Sequence, residues 1–442
     1  MTSSVFLLSV PGLRPDDIRH MKNLQAIAGN GERIPLIPSF PCVTWPVQSN
    51  MVCGSQPKDH GVVANGFFWR DSNEVEMWTA WNEKIQQPQV WDMLEKRGKR
   101  CAVWFPMLSK GCGAQYVCMP APVHHPDGSE SLWCYTKPES LYGDLLEEHG
   151  HFPLHNFWGP QTSIASSRWI VDSAITAADR LRPDFFYIYL PHLDYAAQRS
   201  GPDSAEAKTA LVELDKLLGN LFETMPRVLE KDVIWMVASE YAIVPVNHVV
   251  YPNRILREAG FLDVYRNEGE WIDFRNSQAW ALVDHQFSHV YLKSPDSKDH
   301  VKAVAELFRD RNGIAEVLVE KDREKYQLDH PRSGEIILVS EPKSWQAYYY
   351  WLEDAEAPAF ARTVDIHRKP GYDPVELFFD PVTKSIPLDA TLVKGSHGAP
   401  VLAPFQQGIF ASSRAGILEQ SNLREGAIHD YNICQLILNQ FE

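Results

Sequence analysis

A threonine at the start of a predicted helix, Thr44, is the first residue of this chain whose position could support chemistry. Residues 38–54 read Pro-Ser-Phe-Pro-Cys-Val-Thr-Trp-Pro-Val-Gln-Ser-Asn-Met-Val-Cys-Gly, which is typical of a loop that enters a helix. Threonine is favoured as a helix N-cap, and Pro46 is tolerated in the first turn because its missing N–H would have no partner there. Free N–H groups and the positive end of the helix dipole meet at such a point, which predicts an anion site. The alternative is that Thr44 only caps the helix.

Acidic residues follow two segments that have the length and composition of buried strands. Asp194 comes shortly after Phe185–Leu190, and Glu240 with Tyr241 follows Val233–Ala238. The carboxyl ends of parallel strands meet at one edge of a sheet, where ligands bind in such folds, so these side chains are expected to share a crevice. Each acid could instead be a helix cap or a solvated carboxylate.

Three histidines are candidates for the same crevice. His397 lies in Gly-Ser-His-Gly, His367 follows Asp365 by two residues, and His285 follows Asp284 directly. In an extended chain, residues two apart project to the same side, so Asp365 and His367 could face one metal ion. A hydrogen-bonded structural histidine is the alternative at each position.

Two basic residues next to His367 could bind an anion. Arginine offers phosphate a bidentate fork and lysine a point charge, so Arg368 and Lys369 are predicted to bind substrate. His285 and Tyr241 complete the predicted substrate-binding set. The alternative for the basic pair is a solvated charge run.

Strands and helices alternate along most of the chain and must position these residues. Val5–Val10 is a continuous apolar run of strand length, the pattern of a parallel strand covered on both faces. Helices are expected at Ile164–Leu181 and Ser204–Met225, each before one of the two strands that precede the acids. This alternation predicts an α/β fold with a parallel sheet.

A change of composition predicts a second, smaller unit. Residues 260–331 read as a compact α+β insertion, which leaves 1–259 and 332–442 as the α/β core. The main sheet is expected to resume at Glu335–Ser340, and Gly408–Ala411 is expected to be an edge strand.

The composition and net charge of the chain exclude some classes of partner. Among the 442 residues, 44% are hydrophobic and 22% charged, and no segment approaches the ~20 apolar residues of a membrane span. A net charge of −15 argues against a nucleic-acid polymer, although a small anion could bind where cations are local.

Seven cysteines without CxxC spacing predict buried free thiols. The N-terminal residues lack a signal-peptide pattern, which predicts a cytoplasmic protein, and nothing indicates an oligomeric state.

Several motifs taken in order resemble the alkaline phosphatase superfamily, in particular its type I phosphodiesterase and nucleotide pyrophosphatase family. Residues 6–16, Phe-Leu-Leu-Ser-Val-Pro-Gly-Leu-Arg-Pro-Asp, resemble the opening strand of that family. Residues 38–46 resemble its nucleophile loop, and residues 59–65, Asp-His-Gly-Val-Val-Ala-Asn, the turn behind it. The resemblance covers nearly the whole chain and implies a mostly parallel sheet sandwiched by helices, with the insertion as a small cap.

The same resemblance implies a chemistry. In that family a Thr or Ser alkoxide attacks phosphorus, and two metal ions activate it and steady the leaving oxygen. Thr44 matches the nucleophile, Asp194 and His397 match two ligands of one metal, and Glu240 stands where an Asp ligand of the other metal is expected.

Three further ligand positions depart from the family. Pro11 stands where the opening strand ends in an Asp, Gln198 replaces a His, and Tyr241 replaces the His that follows the acid of the second site. A catalytic zinc has at least three protein ligands, so two tightly held zinc ions are not expected.

The sequence therefore predicts a single divalent metal site made of Asp194 and His397, with Glu240 or His367 as a third ligand. Zinc is the expected ion, with manganese and magnesium as alternatives. The predicted activity is that of a phosphodiesterase or phosphatase that acts through Thr44 on a small phosphorylated or otherwise anionic substrate. An inactive relative that binds a phosphorylated ligand, and a hydrolase of sulfate esters or phosphonates, are the alternatives.

Overall fold

The structure of the protein is a computed structural model that describes residues 3–125, 130–421, 423 and 426–442. Its β-strands are given first. In chain order they are β1 (Ser4–Ser9), β2 (Glu32–Ile37), β3 (Gly66–Trp69), β4 (Glu74–Met77), β5 (Cys101–Trp104), β6 (Tyr116–Pro120), β7 (Val123–His124), β8 (Glu130–Ser131), β9 (Cys134–Lys137), β10 (Phe185–Tyr189), β11 (Val233–Ala238), β12 (Val244–Pro245), β13 (His248–Val250), β14 (Val264–Arg266), β15 (Glu270–Ile272), β16 (Ala279–Asp284), β17 (Phe287–Leu292), β18 (Ile314–Val319), β19 (Ile336–Ser340), β20 (Ser344–Gln346), β21 (Gly395–Ser396), β22 (Gly408–Ser412) and β23 (Ile428–His429).

The α-helices occupy the intervals between these strands, and short 3-10 turns fill several of the longer connections. The helices are α1 (Lys22–Gly29), α2 (Thr44–Cys53), α3 (Pro57–His60), α4 (Val90–Glu95), α5 (Leu141–His149), α6 (Ile164–Leu181), α7 (His192–Ser200), α8 (Ala205–Leu229), α9 (Pro252–Glu258), α10 (Lys298–Glu306), α11 (Ile417–Gln420) and α12 (Asn432–Leu438).

The main sheet has nine strands in the order β23-β2-β22-β11-β1-β10-β5-β6-β9. Its centre, from β11 to β6, is parallel, while β22 pairs antiparallel with both β2 and β11, and β9 pairs antiparallel with β6. The expected α/β class with a mostly parallel sheet is therefore confirmed.

Strand β1 shows why the sheet is covered on both faces. Successive side chains of a strand point to opposite faces, and Phe6 and Leu8 join a core cluster with residues of helices α6 and α8. Val5 and Leu7 join a separate cluster with residues of α2, α4 and α12. The continuous apolar run predicted for a parallel strand is thus explained, because both sets of side chains are buried under helices.

Two expectations about strand placement are wrong. Strand β19 (Ile336–Ser340) does not return to the main sheet but pairs with β17 and β18 in a second sheet. Strand β22 (Gly408–Ser412) lies between β2 and β11 rather than at an edge. Both segments are short apolar runs, and such runs indicate burial without indicating which sheet completes it.

The second sheet is antiparallel, in the order β16-β17-β19-β18, and packs around a core of its own. Its first hairpin joins Asp284 to Phe287 through only His285 and Gln286. The tip reaches the loop that carries His397, because the Gln286 N–H donates to the carbonyl oxygen of His397 at 3.0 Å. This hairpin therefore brings its turn residues to the edge of the main sheet.

The ends of three neighbouring strands are level at that edge. In the parallel pairings of β1, Ser9 is in register with Tyr189 of β10 and with Ala238 of β11. Residues that follow these strands accordingly emerge side by side, which is the arrangement that the alternation of strands and helices predicts.

Two expectations from composition can also be compared with the structure. The seven cysteines are all free and buried, as predicted. Among the described residues, no helix is both long enough and apolar enough to span a membrane.

Truncation of Leu7 to alanine tests the central position of β1. Leu7 is fully buried between helices, so Leu7→Ala is expected to lower the free energy of unfolding by about 2–5 kcal/mol through lost burial and a cavity. Urea unfolding followed by circular dichroism measures the change. Val212→Ala, at a position that is 57% exposed, is the control and is expected to change stability by less than about 0.5 kcal/mol. Equal shifts for the two variants would contradict the assigned core.

Candidate functional site

Thr44 begins helix α2, and its hydroxyl faces the interior of the protein. The preceding residue, Val43, has the extended backbone of an N-cap (φ −130°, ψ 163°), and a valine side chain cannot cap the helix. Thr44 Oγ1 lies 3.1 Å from the hydroxyl of Tyr241, and Thr44 is only 7% exposed. The predicted helix start is confirmed, whereas the expectation that Thr44 caps the helix is wrong, because its side chain points to a tyrosine.

The first turn of α2 has fewer N–H groups for an anion than the sequence predicts. The N–H of Trp45 donates to Asn65 Oδ1 at 3.0 Å, and Pro46 has no N–H. The N–H of Val47 donates to the carbonyl of Val43 at 3.1 Å. The protein itself therefore uses part of the donor capacity of this helix end, and the helix dipole alone is a weak basis for anion binding.

Glu240 is entirely buried and contacts helix α2 through Gln48. Its Oε1 accepts hydrogen bonds from Ser9 Oγ at 2.6 Å and from Gln48 Nε2 at 2.8 Å. Its Oε2 is buried and has no hydrogen-bond partner among the described residues. Two neutral donors thus compensate one oxygen of this carboxylate.

Asp194 and His397 face each other with two buried atoms that are otherwise unpartnered. His397 Nε2 lies 3.9 Å from Asp194 Oδ1, and neither atom has a hydrogen-bond partner in the described part of the chain. His397 Nδ1 lies 2.9 Å from the carbonyl oxygen of Cys42, so Nδ1 is assigned the proton and Nε2 a lone pair. Two electron-rich atoms in such proximity require a proton or a cation between them.

Four aromatic rings form a column through the site, which we call the ring column. Tyr241 stacks on His397 with centroids 3.6 Å apart and planes 5° from parallel. His397 is followed by His285 at 3.9 Å, and His285 stacks on Tyr372 at 3.8 Å. The hydroxyl of Tyr372 donates to Gln198 Oε1 at 2.8 Å. The ring column therefore connects loops that follow strands of the main sheet with the hairpin of the second sheet.

The hairpin turn holds His285 in one orientation. His285 Nδ1 lies 2.5 Å from Asp284 Oδ1, and the N–H of Asn65 donates to Asp284 Oδ2 at 2.8 Å. Asn65 in turn accepts from the N–H of Trp45 in helix α2. His285 has φ +59°, a conformation that costs energy for a residue with a Cβ and that is enriched at functional sites.

Burial shifts the protonation equilibria of these groups. It raises the pKa of Asp194 to about 7, of Glu240 to about 8 and of Asp284 to about 6. It also lowers the pKa of His285 and of His397 well below the ordinary value. The loss of water disfavours the charged form of every one of these side chains. The acids therefore favour a proton or a bound cation, and the histidines stay neutral.

The Asp194–His397 pair is suited to one divalent cation. The Nδ1–H of the imidazole is bound to a backbone carbonyl, which is how proteins usually orient a metal-ligating histidine. No group of three or more His, Cys, Asp or Glu arranged to hold a metal ion occurs among the residues that the structure describes. The expected third ligand, from Glu240 or His367, is therefore not brought to this pair.

The residues that correspond to a second metal ion do not fit one. Pro11 offers no side-chain ligand, and the ring of Tyr241 lies flat against His397. Gln198, which replaces a histidine of the first site, accepts the hydroxyl of Tyr372. These replacements bind to other protein groups, so a two-metal centre is not supported by the donor set.

The two basic residues that the sequence predicts to bind an anion are paired with carboxylates instead. Lys369 is buried, and its Nζ lies 2.8 Å from Asp373 Oδ2 and 2.6 Å from Glu376 Oε1. Arg368 is 61% exposed and pairs with the aspartate three residues before it, while His367 is also exposed. The positive charge of both basic residues is thus compensated by neighbouring carboxylates, whereas the predicted residues His285 and Tyr241 do lie in the ring column.

Several residues of the site were missed by sequence reasoning. Gln48 follows Thr44 by four positions, so the two share one helix face, and Ser9 is the last residue of β1. These two positions in the sequence could have identified the hydrogen-bond donors to Glu240. Asn65 and Tyr372 had no local signal, because they reach the site through contacts that only the tertiary fold creates.

Behind Thr44, a buried polar network holds the loop that enters helix α2. The carboxylate of Asp430 accepts from the N–H and the hydroxyl of Ser39 and from Asn50 Nδ2, at 3.0, 2.7 and 2.7 Å. Asn50 Oδ1 lies 2.7 Å from His60 Nε2, and His60 Nδ1 accepts from the N–H of Val62 at 3.1 Å. His60 is fully buried, and desolvation lowers its pKa to about 3.

The fold, with a buried threonine, two acids and a histidine at one edge of a mostly parallel sheet, is that of the alkaline phosphatase superfamily. Residues 5–373 match the family described as type I phosphodiesterase / nucleotide pyrophosphatase, and the chain belongs to this family. The family resemblance seen in the sequence motifs is confirmed.

Two curated yeast proteins are similar in sequence. An uncharacterized pyrophosphatase/phosphodiesterase of Schizosaccharomyces pombe is 26% identical over 253 residues, which cover 55% of this chain and 46% of that protein. Ectonucleotide pyrophosphatase/phosphodiesterase 1 of Saccharomyces cerevisiae is 22% identical over 321 residues, which cover 70% of this chain and 38% of that protein. The chain spans less than half the length of these two relatives.

Solved structures show the same fold at low sequence identity. Phosphonoacetate hydrolase from Sinorhizobium meliloti 1021, in complex with phosphonoformate, has a TM-score of 0.64 at 16% identity, with 99% of this chain and 96% of that chain covered. Murine ectonucleotide pyrophosphatase / phosphodiesterase 5 has a TM-score of 0.62 at 14% identity, with 99% and 95% covered.

Acidification tests the network behind Thr44. The unfolded chain protonates His60 near its ordinary pKa of about 6.5, whereas the folded protein keeps it neutral down to about pH 3. The unfolded state therefore binds the proton first, and stability is lost as the pH falls below about 6.5. This residue alone is expected to cost roughly 3 kcal/mol of unfolding free energy between pH 7 and pH 4.

Urea unfolding at pH 7, 5.5 and 4 measures this loss in the wild type and in His60→Gln, which cannot take up the proton. The difference between the two proteins should shrink or reverse as the pH falls. His155→Gln, at an exposed position, is the control and should follow the wild-type curve. Parallel curves for wild type and His60→Gln would show that His60 is not a buried neutral histidine.

Proposed function

We propose that this protein is a phosphoryl-transfer hydrolase that acts on a small phosphate or phosphonate ester. Thr44 is the nucleophile, and Asp194 with His397 binds one divalent cation. The observation that carries the proposal is the pair of buried, unpartnered atoms Asp194 Oδ1 and His397 Nε2, 3.9 Å apart. Family membership supports the reaction class.

The charge of the crevice supports the need for a cation. Asp194, Glu240 and Asp284 are buried around the ring column, and the predicted basic residues are paired elsewhere. An ionised carboxylate in this crevice would repel an anionic substrate, whereas a bound cation would stabilise the ionised carboxylates and attract the substrate. An ion held by these two side chains would take its other ligands from water and substrate oxygens. Imidazole suits zinc and carboxylate suits magnesium or manganese, so each of the three ions is compatible with the pair.

The residues of the chain supply orientation and the nucleophile. The hydroxyl oxygen of Thr44 forms a bond to phosphorus while the bond from phosphorus to the leaving oxygen breaks. The leaving oxygen takes up the proton that Thr44 gives up. The oxygen of a water molecule then bonds to phosphorus as the bond from phosphorus to Thr44 Oγ1 breaks. One water proton restores the hydroxyl, and the other stays with the released product. A bound cation supplies Lewis-acid stabilisation of the phosphoryl charge, and the buried position of Thr44 excludes competing water.

The class of substrate is proposed from what similar structures hold. The phosphonoacetate hydrolase structure contains phosphonoformate, and an inactive form of murine ectonucleotide pyrophosphatase / phosphodiesterase 5 contains AMP. Both ligands are small anions with one phosphorus centre. We extend only this shared chemistry to the present protein.

A binding protein without turnover is the second candidate. The observation that favours it is that Gln198 and Tyr241, which stand at metal-ligand positions of the family, are engaged in contacts with Tyr372 and His397. Such a protein would bind a phosphorylated ligand, and its affinity would not depend on a reactive Thr44 hydroxyl.

Hydrolysis by Thr44 variants distinguishes the two candidates. Protein treated with EDTA and reloaded with Mg²⁺, Mn²⁺ or Zn²⁺ is assayed with nitrophenyl phosphate, bis(nitrophenyl) phosphate and nitrophenyl phenylphosphonate. With one of the ions, the wild type is expected to turn over. Thr44→Ala should lose at least about 1,000-fold in kcat because the attacking oxygen is removed.

Thr209→Ala, at an exposed helix position, is the matched control and should retain wild-type activity. Metal analysis should find one ion per chain, and Asp194→Asn should lose it. Tight binding of AMP without turnover, unchanged in Thr44→Ala, would favour the binding protein. Turnover unaffected by Thr44→Ala would overturn the assignment of the nucleophile.

A further inference from the structure

We propose that the phenol hydroxyl of Tyr241 is a catalytic group that holds the Thr44 oxygen for attack, in place of a second metal ion. This inference rests on the proposed function, since it assigns a role in the attack by Thr44. It concerns a position where the chain departs from its family.

The contact is direct and buried. Tyr241 Oη lies 3.1 Å from Thr44 Oγ1, and Tyr241 is 1% exposed. A threonine hydroxyl has one proton and two lone pairs. The phenol of Tyr241 can occupy either the proton or one lone pair, which leaves a lone pair for phosphorus.

The hydroxyl of Tyr241 is held in place from both ends of the residue. Its ring is stacked at 3.6 Å on His397, and that imidazole is anchored through Nδ1 to the carbonyl of Cys42. Its backbone carbonyl accepts the N–H of Gly12 at 2.9 Å and the hydroxyl of Ser239 at 3.1 Å. A donor that is fixed before the reaction costs no reorganisation when charge develops, which is why such donors are effective in catalysis.

The surroundings of Glu240 support replacement of an ion by hydrogen bonds. Ser9 Oγ and Gln48 Nε2 both direct protons at Oε1 of this carboxylate. Gln48 is itself held, because its Oε1 accepts the N–H of Met107 at 2.7 Å. A cation beside that oxygen would meet the same donors head-on. Together with Pro11, which has no ligand atom, this arrangement gives Oε1 of Glu240 neutral donors as partners.

Removal of the single hydroxyl tests the proposal. Tyr241→Phe keeps the stacked ring and removes the contact to Thr44, so kcat is expected to fall by about 100-fold with little change in KM, as for loss of one preorganised donor. Tyr265→Phe, at a position that is 47% exposed, is the control.

Two readouts do not depend on turnover. Calorimetry with orthovanadate, which binds at the attacking oxygen of phosphoryl-transfer sites, should show at least about tenfold weaker binding by Tyr241→Phe than by wild type. Metal analysis should find one ion per chain in the wild type and in Tyr241→Phe. The variant should keep the circular dichroism spectrum and melting temperature of a folded protein.

Each outcome decides a separate question. Wild-type kcat and vanadate affinity in a folded Tyr241→Phe would overturn the role of Tyr241 and leave the role of Thr44 intact. Two ions per wild-type chain would likewise overturn the replacement of a metal. A wild type that neither turns over nor binds vanadate would overturn both the proposed function and this inference. If Tyr241→Phe failed to fold, the metal content of the wild type would decide, because two ions per chain contradict the replacement of a metal ion by the phenol.

Discussion

The burial of carboxylates beside Thr44 is the constraint on which the rest of the site depends. A carboxylate without water is costly unless donors, a proton or a cation compensate it. Glu240 is compensated at one oxygen by neutral donors, and Asp284 by the backbone of Asn65 and an adjacent imidazole. Asp194 keeps an oxygen that has no partner in the described chain. Glu240 Oε2 also has no partner there, so a proton or a bound ion must compensate both oxygens, and His397 Nε2 lies 3.9 Å from the one on Asp194.

The two sheets contribute different residues to the site. The parallel sheet sets three strand ends level, so that residues after β1, β10 and β11 converge without long loops. The antiparallel sheet adds a two-residue hairpin whose turn carries His285 in a left-handed conformation. Such a conformation persists only where the surroundings fix it, and the hydrogen bond from Gln286 to the His397 loop is one of the contacts that do so. The site is therefore a product of both sheets.

The residues that replace family ligands interact with the remaining site. Tyr241, where a histidine is expected, stacks on His397 and contacts Thr44. Gln198, where another histidine is expected, receives the hydroxyl of Tyr372. Loss of ligands alone would leave cavities and unpaired polar atoms, which are costly. Here the ring of Tyr241 and the amide of Gln198 occupy the two positions and make new contacts there. The site is therefore packed and hydrogen-bonded without the family's ligands.

The sequence by itself determined the α/β class, the start of helix α2 at Thr44, and the convergence of Asp194, Glu240 and Tyr241, because periodicity and chain order are local or topological properties. It also indicated which ligands of the family are absent. Only the tertiary structure decided that β19 joins the second sheet and that β22 lies inside the first, since a short apolar run does not specify its partner. The same holds for Lys369. The sequence predicts that its charge binds an anion, whereas in the structure two buried carboxylates neutralise that charge. Side-chain partners depend on contacts between residues far apart in the chain, and those contacts are formed only when the sheets and loops pack together.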